Sequence, residues 1–417
     1  MSPSDAMQAQ ATEDDLPNLR HLGLLVMAVE RRSLTAAARA THISQPAASQ
    51  AVSRLGAIFG APLLERAGNA VAPTEEGQIV ATRARRALDH LSECSAGGRG
   101  RRANGRAAPR ETLERYATTS QLRALATVVA TGSHAEAARR LRQSESSVQR
   151  ACREIERIIG QPLFEGGTRS RVLSPVALKV GAQASLALKE LSTAHAELRE
   201  RIGKQDGRLV LGALPLARTR LVPDAIIRLM ARYPDARVEV VDGDYDTLVR
   251  RLRFGTCDMI IGALRSPDAA PDLAERTVFT DSLSIVARKG HPLAGRPVDP
   301  ADLARFLWIL PRPDTPARRA FEHLAALRGL DQMRRGHVET GSLVVLRGLL
   351  LGSDALTLIS LNQIHYEFVQ GLLVPLDLPL EHAERAIGVT TLASALPGPL
   401  HRAFVEELFG RSGVGTG

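Results

Sequence analysis

Three cysteines are all that 417 residues hold: Cys94, Cys152 and Cys257, odd in number and widely scattered. They form neither a metal-ligand spacing nor a disulfide framework, so a reducing, cytoplasmic setting is expected. Long apolar runs are also missing. The most apolar region, 343–361, is interrupted by Arg347 and Asp354, and no stretch approaches the ~20 apolar residues that span a bilayer. Residues 1–17 are polar and acidic, without the apolar centre of a signal peptide; they read as a flexible leader. No Gly-rich phosphate loop or activated-nucleophile motif occurs, and histidines such as His291, His337, His365 and His401 stand alone. These absences argue against an enzyme, a membrane protein, and any metal or cofactor requirement.

The chain is 44% hydrophobic, which is globular, and its length accommodates two or three domains with real cores. Its basic excess is unevenly placed: residues 1–206 hold 29 basic and 21 acidic side chains, the remainder 25 and 24. The N-terminal half therefore has the electrostatic footprint of a polyanion binder, and the C-terminal half does not.

The most informative feature is a repeat. Residues 19–77 recur at 119–177 without a gap: Leu22, Leu25 and Val29 return as Leu122, Leu125 and Val129. Ala37-Ala38-Arg39 returns as Ala137-Ala138-Arg139, and the Gly60-x-Pro62-Leu63-x-Glu65 run as Gly160-x-Pro162-Leu163-x-Glu165. A constant shift over so many positions is a duplication. In the first copy, Leu19, Leu22, Leu25, Val26 and Val29 lay an apolar stripe on one helix. Ser33 can cap a second, Leu34–Ala40, and a short turn leads to Ser44, which can cap a third with Pro46 in its first turn. Val52, Leu55, Ile58 and Phe59 face inward. Thr35 at the start of the second helix and Ser44, Gln45, Pro46, Ser49, Gln50, Ser53 and Arg54 on the third make the outer side, the kind of face that reaches base edges and phosphates. Gly60–Thr74 reads as a wing carrying Arg66. This is a helix-turn-helix arrangement.

The predicted organisation is a leader (1–17), a first winged helix-turn-helix with trailing helix (18–94), a Gly/Arg linker (95–112), a second winged helix-turn-helix (113–177), a linker or dimerisation helix (178–206) and a ligand-binding domain (207–410). The linker cluster Arg99, Arg101, Arg102 and Arg106 suits either a flexible spacer or a grip on phosphate backbone. Leu178, Ala182, Leu186, Leu188, Leu191 and Leu198 supply apolar positions for a long helix over Ser174–Ile202. From Arg208 strands and helices alternate. Strands are expected at Leu209–Leu214, Val238–Val241, Met259–Ile261, Ser284–Ala287, Leu307–Leu310, Leu356–Ile359 and Ile387–Thr390. The fold class is thus multidomain: two all-α winged modules plus an α/β domain of two lobes.

Leu34-Thr-Ala-Ala-Ala-Arg39, Ile43-Ser-Gln-Pro-Ala-Ala-Ser49, Pro62-Leu-Leu-Glu-Arg66 and Pro73-Thr-Glu-Glu-Gly77 together resemble the winged helix-turn-helix of LysR-type transcriptional regulators. The α/β half resembles that family's effector-binding domain, with the fold of periplasmic binding proteins. The resemblance implies a homodimer or homotetramer on double-stranded promoter DNA, controlled by a small molecule between the lobes, with RNA polymerase as a further partner. The second module departs from it. Its core is kept, and Ser133-x-x-Glu136 suggests a capping box. But Gln45-Pro46 becomes Glu145-Ser146, Ser49 becomes Gln149 and Arg66 becomes Gly166. Ser144, Glu145, Ser146, Gln149, Arg150, Arg153 and Arg169 are its candidate DNA face; a structural or dimerising role and a second DNA contact both remain open. Effector contacts inferred from the resemblance are Leu216, Arg218, Thr219, Asp244, Thr340, Gly341 and Ser342. The run Gly212–Thr219 also resembles the galactose-binding-protein regulators, a sugar-responsive branch, which implies a neutral sugar rather than an aromatic acid; a sugar and an organic acid both stay open as effector, and a sugar is expected to quench or shift Trp308 fluorescence. The competing function is a sequence-independent DNA-coating or scaffold protein with a vestigial ligand domain.

Overall fold

The structure, a computed structural model, describes residues 16–68, 70–96, 112–166, 172–204, 206–265, 270–313, 315–328, 337–380 and 383–410. Most of the expected leader, the linker cluster Arg99, Arg101, Arg102 and Arg106, and Arg169 lie outside the described residues. The chain divides into two compact units, residues 1–205 with 253–256, and 206–252 with 257–417.

In the N-terminal unit, α1 (Leu19–Arg31) starts at Asn18, whose side chain accepts from the Arg20 amide, and buries Leu19, Leu22, Leu24, Leu25, Val26 and Ala28. The hydroxyl of Ser33 caps α2 (Leu34–Ala40) by accepting from the Ala36 amide at 3.1 Å. Ser44 caps α3 (Gln45–Phe59) through the Ala47 amide, with Pro46 in the first turn. Between them His42 takes a left-handed φ of 57°, an uncommon state for a residue with a Cβ, and it turns the chain sharply enough to cross α3 over α2. Gly60, at φ 73°, ends α3, because a left-handed C-cap is least costly without a side chain. The wing is β1 (Leu64–Ala67) antiparallel to β2 (Ala70–Pro73), followed by α4 (Glu75–Ala96).

The second copy follows the same course: α6 (Thr119–Thr131), α7 (His134–Leu141), α8 (Glu145–Ile159), β3 (Phe164–Glu165), β4 (Val172–Leu173) and α9 (Pro175–Arg201), preceded by a single turn, α5 (Leu113–Tyr116). Even the strained turn recurs, with Arg142 at φ 55°. The expected capping box at Ser133 is only half made. Ser133 accepts from the Glu136 amide, but the Glu136 carboxylate is held by Arg139 and Arg140 instead. A complete capping box occurs one helix earlier, at Thr118 and Gln121. The buried face of α9 also differs from the expected leucine stripe. Ala177, Val180, Gly181, Ala184, Ala187, Leu191, Ala194 and Leu198 are buried, whereas Leu178 is 42% exposed. Small residues fill most of this face because α9 lies closely along α4 and, at Gly181, against Val129 of α6, while Leu191 and Leu198 are buried as expected. One uninterrupted apolar cluster runs from Leu19 to Leu198 through both modules.

The second unit runs β5 (Gly207–Ala213), a single turn at Pro215–Arg218, α10 (Leu221–Arg232), β6 (Ala236–Val241), α11 (Tyr245–Arg253), β7 (Met259–Ala263), β8 (Leu273–Arg288), α12 (Pro300–Leu303), β9 (Trp308–Leu310), α13 (Pro316–Arg328), β10 (His337–Glu339), α14 (Leu343–Gly352), β11 (Leu356–Ser360), α15 (His365–Val369), β12 (Leu373–Pro375), β13 (Glu384–Leu392) and α16 (Pro399–Phe409). Among the described residues the sheet order is β10-β9-β11-β8-β13-β7-β5-β6, with β12 also on β8. Two parallel groups, β6-β5-β7 and β10-β9-β11, are joined by the antiparallel pair β8 and β13. β8 changes partner along its length: Leu273–Ser282 pair with β13, and Leu283–Val286 with β11. Sequence placed a strand only at Ser284–Ala287. The earlier half of β8, 273–282, is mostly polar and half-exposed, with neither strict alternation nor an apolar run to announce a strand. Each parallel group has its own core, around Leu229, Ile261 and Phe404 in one lobe and around Ile285, Trp308, Phe321 and Leu358 in the other.

Candidate nucleic-acid interface and ligand cleft

On α3 the apolar positions Ala48, Ala51, Val52, Leu55 and Phe59 are turned inward. That rotation leaves Ser44, Gln45, Pro46, Ser49, Gln50, Ser53 and Arg54 exposed, a continuous polar strip, with Arg66 exposed on the wing and Thr35 half-buried at the start of α2. Arg54 also acts inward: the pKa of His21, on α1, is depressed by burial and then by the Arg54 charge, so His21 is held neutral beside the strip.

On α8 the same rotation buries Val148, Cys152, Ile155 and Ile158. Ser144, Glu145, Ser146, Arg150 and Arg153 are exposed, and Gln149 is half-buried. This face is bonded to itself. The Gln149 amide donates to the Glu145 carboxylate at 3.1 Å, and the Ser144 hydroxyl lies 3.0 Å from that of Ser146 and 2.8 Å from that of Ser147.

The two modules are held by the pairing of α4 and α9. Arg83, 1% exposed, reaches Glu190 at 2.7 Å and Glu197 at 2.5 Å, and Arg86 reaches Glu190 at 2.7 Å. A buried guanidinium is tolerable only when its charge is paired and its N–H groups are bonded, and the two carboxylates meet both needs. His90 and Gln183 meet at 2.8 Å, Gln183 donates to Glu93 at 3.2 Å, and Arg201 binds Glu75 and Glu76. Phe59 stacks on His195 at 4.4 Å. The segment expected as a linker or dimerisation helix lies in α9, and within the chain it packs against the equivalent helix of the other copy.

In the second unit the C-terminal ends of the parallel strands face one another across the lobes, the usual place for a ligand in such sheets. After β5, Leu216 is buried, 5% exposed. Arg218 donates to the Ala213 carbonyl at 2.7 Å and pairs with Asp242 at 3.1 Å. Thr219 crosses to the other lobe and donates to the Gln363 carbonyl at 2.9 Å, and Arg220 meets His365 at 3.2 Å. Asp244, after β6, accepts from the Thr247 amide at 2.7 Å and so caps α11. That hydrogen bonding, helped by Arg250 and Arg312, keeps its carboxyl below the usual range. After β10, the Thr340 hydroxyl accepts from the Ser342 amide, Ser342 caps α14, and Gly341 lies under the Arg312 guanidinium, where an added Cβ would stand 2.7 Å from Nε.

The expected cleft residues thus lie at C-terminal strand ends of both lobes, with Arg312 near both Asp244 and Gly341, but most are already occupied in caps and ion pairs. The sequence pattern does not flag Arg312, His365 or Asp281. Asp281 is 3% exposed at the point where the lobes join, and it takes hydrogen bonds from Ser360, Asn362 and Arg385 at 2.5, 3.0 and 3.1 Å. Only the position of Arg312 just beyond a strand could have flagged it. Trp308 does not border these strand ends. It starts β9, is fully buried, and donates to the Leu303 carbonyl at 3.1 Å. A separate surface cavity, lined in part by Leu293, Arg296, Asp302, Phe306 and Asp354, lies at the N-terminal ends of β9 and β11, away from the candidate cleft.

Two winged helix-turn-helix modules on paired helices and a two-lobed α/β domain define the class of a DNA-binding protein with a ligand-binding domain. The description "Bacterial regulatory helix-turn-helix protein, lysR family" matches residues 19–78 and again 119–178, and "LysR substrate binding domain" matches residues 203–412. The HTH-type transcriptional regulator GalR of Pseudomonas putida is 31% identical over 386 residues, covering 92% of this chain and 95% of its own; too little lies outside that alignment to omit either module. GbpR of Rhizobium radiobacter is 28% identical over 282 residues, covering 67% of this chain and 92% of its own. A full-length OxyR variant from Pseudomonas aeruginosa shares the fold, with TM-score 0.53 and 20% identity over 70% of this chain and 94% of its own. The chain belongs to the LysR family of bacterial transcriptional regulators. It is a DNA-binding regulator with an effector-binding domain of the periplasmic-binding-protein type, not an enzyme. None of these matches supports the DNA-coating alternative. No helix among the described residues is long and apolar enough to cross a membrane.

Proposed function

We propose that the outer face of α3 reads promoter DNA, with Gln45, Ser49, Gln50, Ser53 and Arg54 toward the bases or phosphates, and Thr35 and Arg66 toward the backbone. The regulator works in the cytoplasm as a homodimer or homotetramer, with RNA polymerase as its downstream partner. The carrying observation is the strip itself: every one of these α3 side chains is exposed on a helix whose opposite face is locked into the core. A nuclease footprint on the DNA upstream of its own gene, at physiological salt, tests this. A short protected site supports the reading. Protection of any duplex with similar affinity overturns it, because sequence-independent binding rests on phosphate contacts alone.

The effector is a small polar molecule held between Leu216–Thr219, Asp244 and Thr340–Ser342. A neutral sugar fits the charge pattern, because Arg218 is already paired with Asp242 and Arg220 with Asp224. An organic acid is the second reading, favoured by the exposed Arg312 over Gly341. Calorimetric titration with neutral monosaccharides and with carboxylates of similar size decides between them; Trp308 is too deeply buried to serve as a contact reporter. Heat from carboxylates alone overturns the sugar reading.

A further inference from the structure

The contacts between α4 and α9 have a property that only a two-fold arrangement gives. Shifted by the repeat distance of 100, the Arg83–Glu190 contact becomes Gln183–His90, and that contact exists, at 2.8 Å. Position 83 of one copy therefore meets position 90 of the other in both directions, which is the reciprocity of an isologous interface. Partner numbers also run in opposite senses: Glu76 meets Arg201, Arg83 meets Glu190, and Glu93 meets Gln183. The helices are antiparallel, so the modules at their N-termini sit at opposite ends of the pair. The 22 residues of α4 span about 33 Å at ~1.5 Å per residue, close to the ~34–36 Å of one DNA turn.

We infer that one chain is a complete two-headed DNA reader built around an internal two-fold, and that its operator is an inverted pair of chemically unlike half-sites, one read by α3 and the other by α8. This rests on the reading of α3 given above. The scaffold of the second head is intact: the serine cap, the left-handed turn residue and the inward face of α8 match those of α3. Its exposed chemistry is what changed. On α3 the amides of Gln45 and Gln50 suit the paired donor and acceptor of adenine, with Arg54 behind them. On α8 the Glu145 carboxylate, steadied by Gln149, can accept from the amino group of cytosine, and Arg150 and Arg153 can reach guanine or phosphate. An inverted operator with two equal halves would waste one of these faces, whereas an asymmetric one uses both.

The test is selection of bound sequences from a randomised duplex library by the full-length chain and by two variants at exposed positions, Gln50→Ala and Arg150→Ala. The expected result is a site of two different half-sites in inverted orientation, centred about one helical turn apart. Gln50→Ala relaxes preference in one half only, and Arg150→Ala in the other only, each weakening the wild-type site about tenfold. Two identical half-sites that both respond to Gln50→Ala, or a site indifferent to Arg150→Ala, overturn the inference while leaving the α3 reading in place. Absence of any enriched sequence overturns both.

Discussion

The two modules are one design carried to two ends. Most inward apolar positions that pack one also pack the other: Leu22 and Leu122, Leu25 and Leu125, Ala37 and Ala137, Leu55 and Ile155, Leu63 and Leu163 are all fully buried, although Leu19 is answered by the buried Thr119. The charged and amide side chains that differ lie mainly on the outer faces or at the seam between the copies. Burial constrains a position through packing on all sides, since interiors are close-packed. An exposed residue is free to change unless a partner holds it, so outer faces diverge first. The seam diverged in a coordinated way. Arg83 is answered by Glu190 and Glu197, whereas its counterpart Gln183 is answered by His90 and Glu93. An interface between identical subunits cannot make that choice, because every substitution appears on both sides.

The seam offers the sharpest test of the comparison. Arg83→Met should destabilise the N-terminal unit by about 3 kcal/mol, because Glu190 and Glu197 both lose their Arg83 contact and only Glu190 keeps a second cation, Arg86. Gln183→Ala, the same position in the other copy, should cost only about 1 kcal/mol. Hydrogen exchange of the α4 and α9 amides reads both, and equal costs would break the claim that the charge is concentrated on one side.

Next comes the packing of the helix starts. A Cβ on Gly77 would collide with the Leu63 carbonyl oxygen, whereas the counterpart, Ala177, is accommodated with no exposure at all. In exchange, the second copy carries Gly181 against Val129, where a Cβ would stand 2.6 Å from a methyl group, and the first copy has Ala81. Gly77→Ala should therefore cost about 1–3 kcal/mol by overpacking, measured as a lowered urea midpoint of the N-terminal transition. Ala177→Gly should cost less, about 1 kcal/mol, from helix propensity.

A smaller difference concerns thiols. Cys152 stands where the first copy has Val52, and Cys94 where the second has Ala194. Burial pushes each thiol up to about 12, so the thiolate that reacts is scarce at neutral pH. Native protein at pH 7.5 should therefore resist alkylation at both positions for as long as it stays folded, and mass spectrometry after urea should show full labelling. Rapid labelling without denaturant would mean that the seam opens if it falls on Cys94, or that the second module opens if it falls on Cys152.

The smallest expected effect is a pH dependence confined to the first copy. His21 has its pKa lowered by burial and by Arg54, and its counterpart, Gln121, does not titrate. Between the ordinary histidine value and the lowered folded one, the unfolded chain binds more protons than the folded chain, so stability falls as pH falls through that window. His21→Gln should flatten the acid limb of the N-terminal transition; an unchanged slope would show that His21 is not the group responsible.

Much of the molecule was legible from local pattern. The repeat, the three-helix period, the serine caps at Ser33 and Ser44 and the change to alternating strands and helices after Arg208 all depend on neighbours within a few residues, and all are present. The candidate reading face followed from the same period, because fixing the inward residues of a helix fixes the outward ones. Less could be read of the cleft. Asp244 and Ser342 looked like ligand contacts, yet the first duty of each is a helix cap, and Asp281 shows its role only where two lobes meet.

The sequence by itself determined that this protein carries two copies of one DNA-binding module and a two-lobed sensor, since periodicity, capping and turn chemistry act over short distances. Only the tertiary structure decided that α9 pairs with α4 of its own chain, that Arg83 is buried, and that small residues supply most of the buried face of α9. Those outcomes depend on which surfaces, a hundred residues apart, exclude water from one another, and no local stretch of sequence contains both halves of that contact.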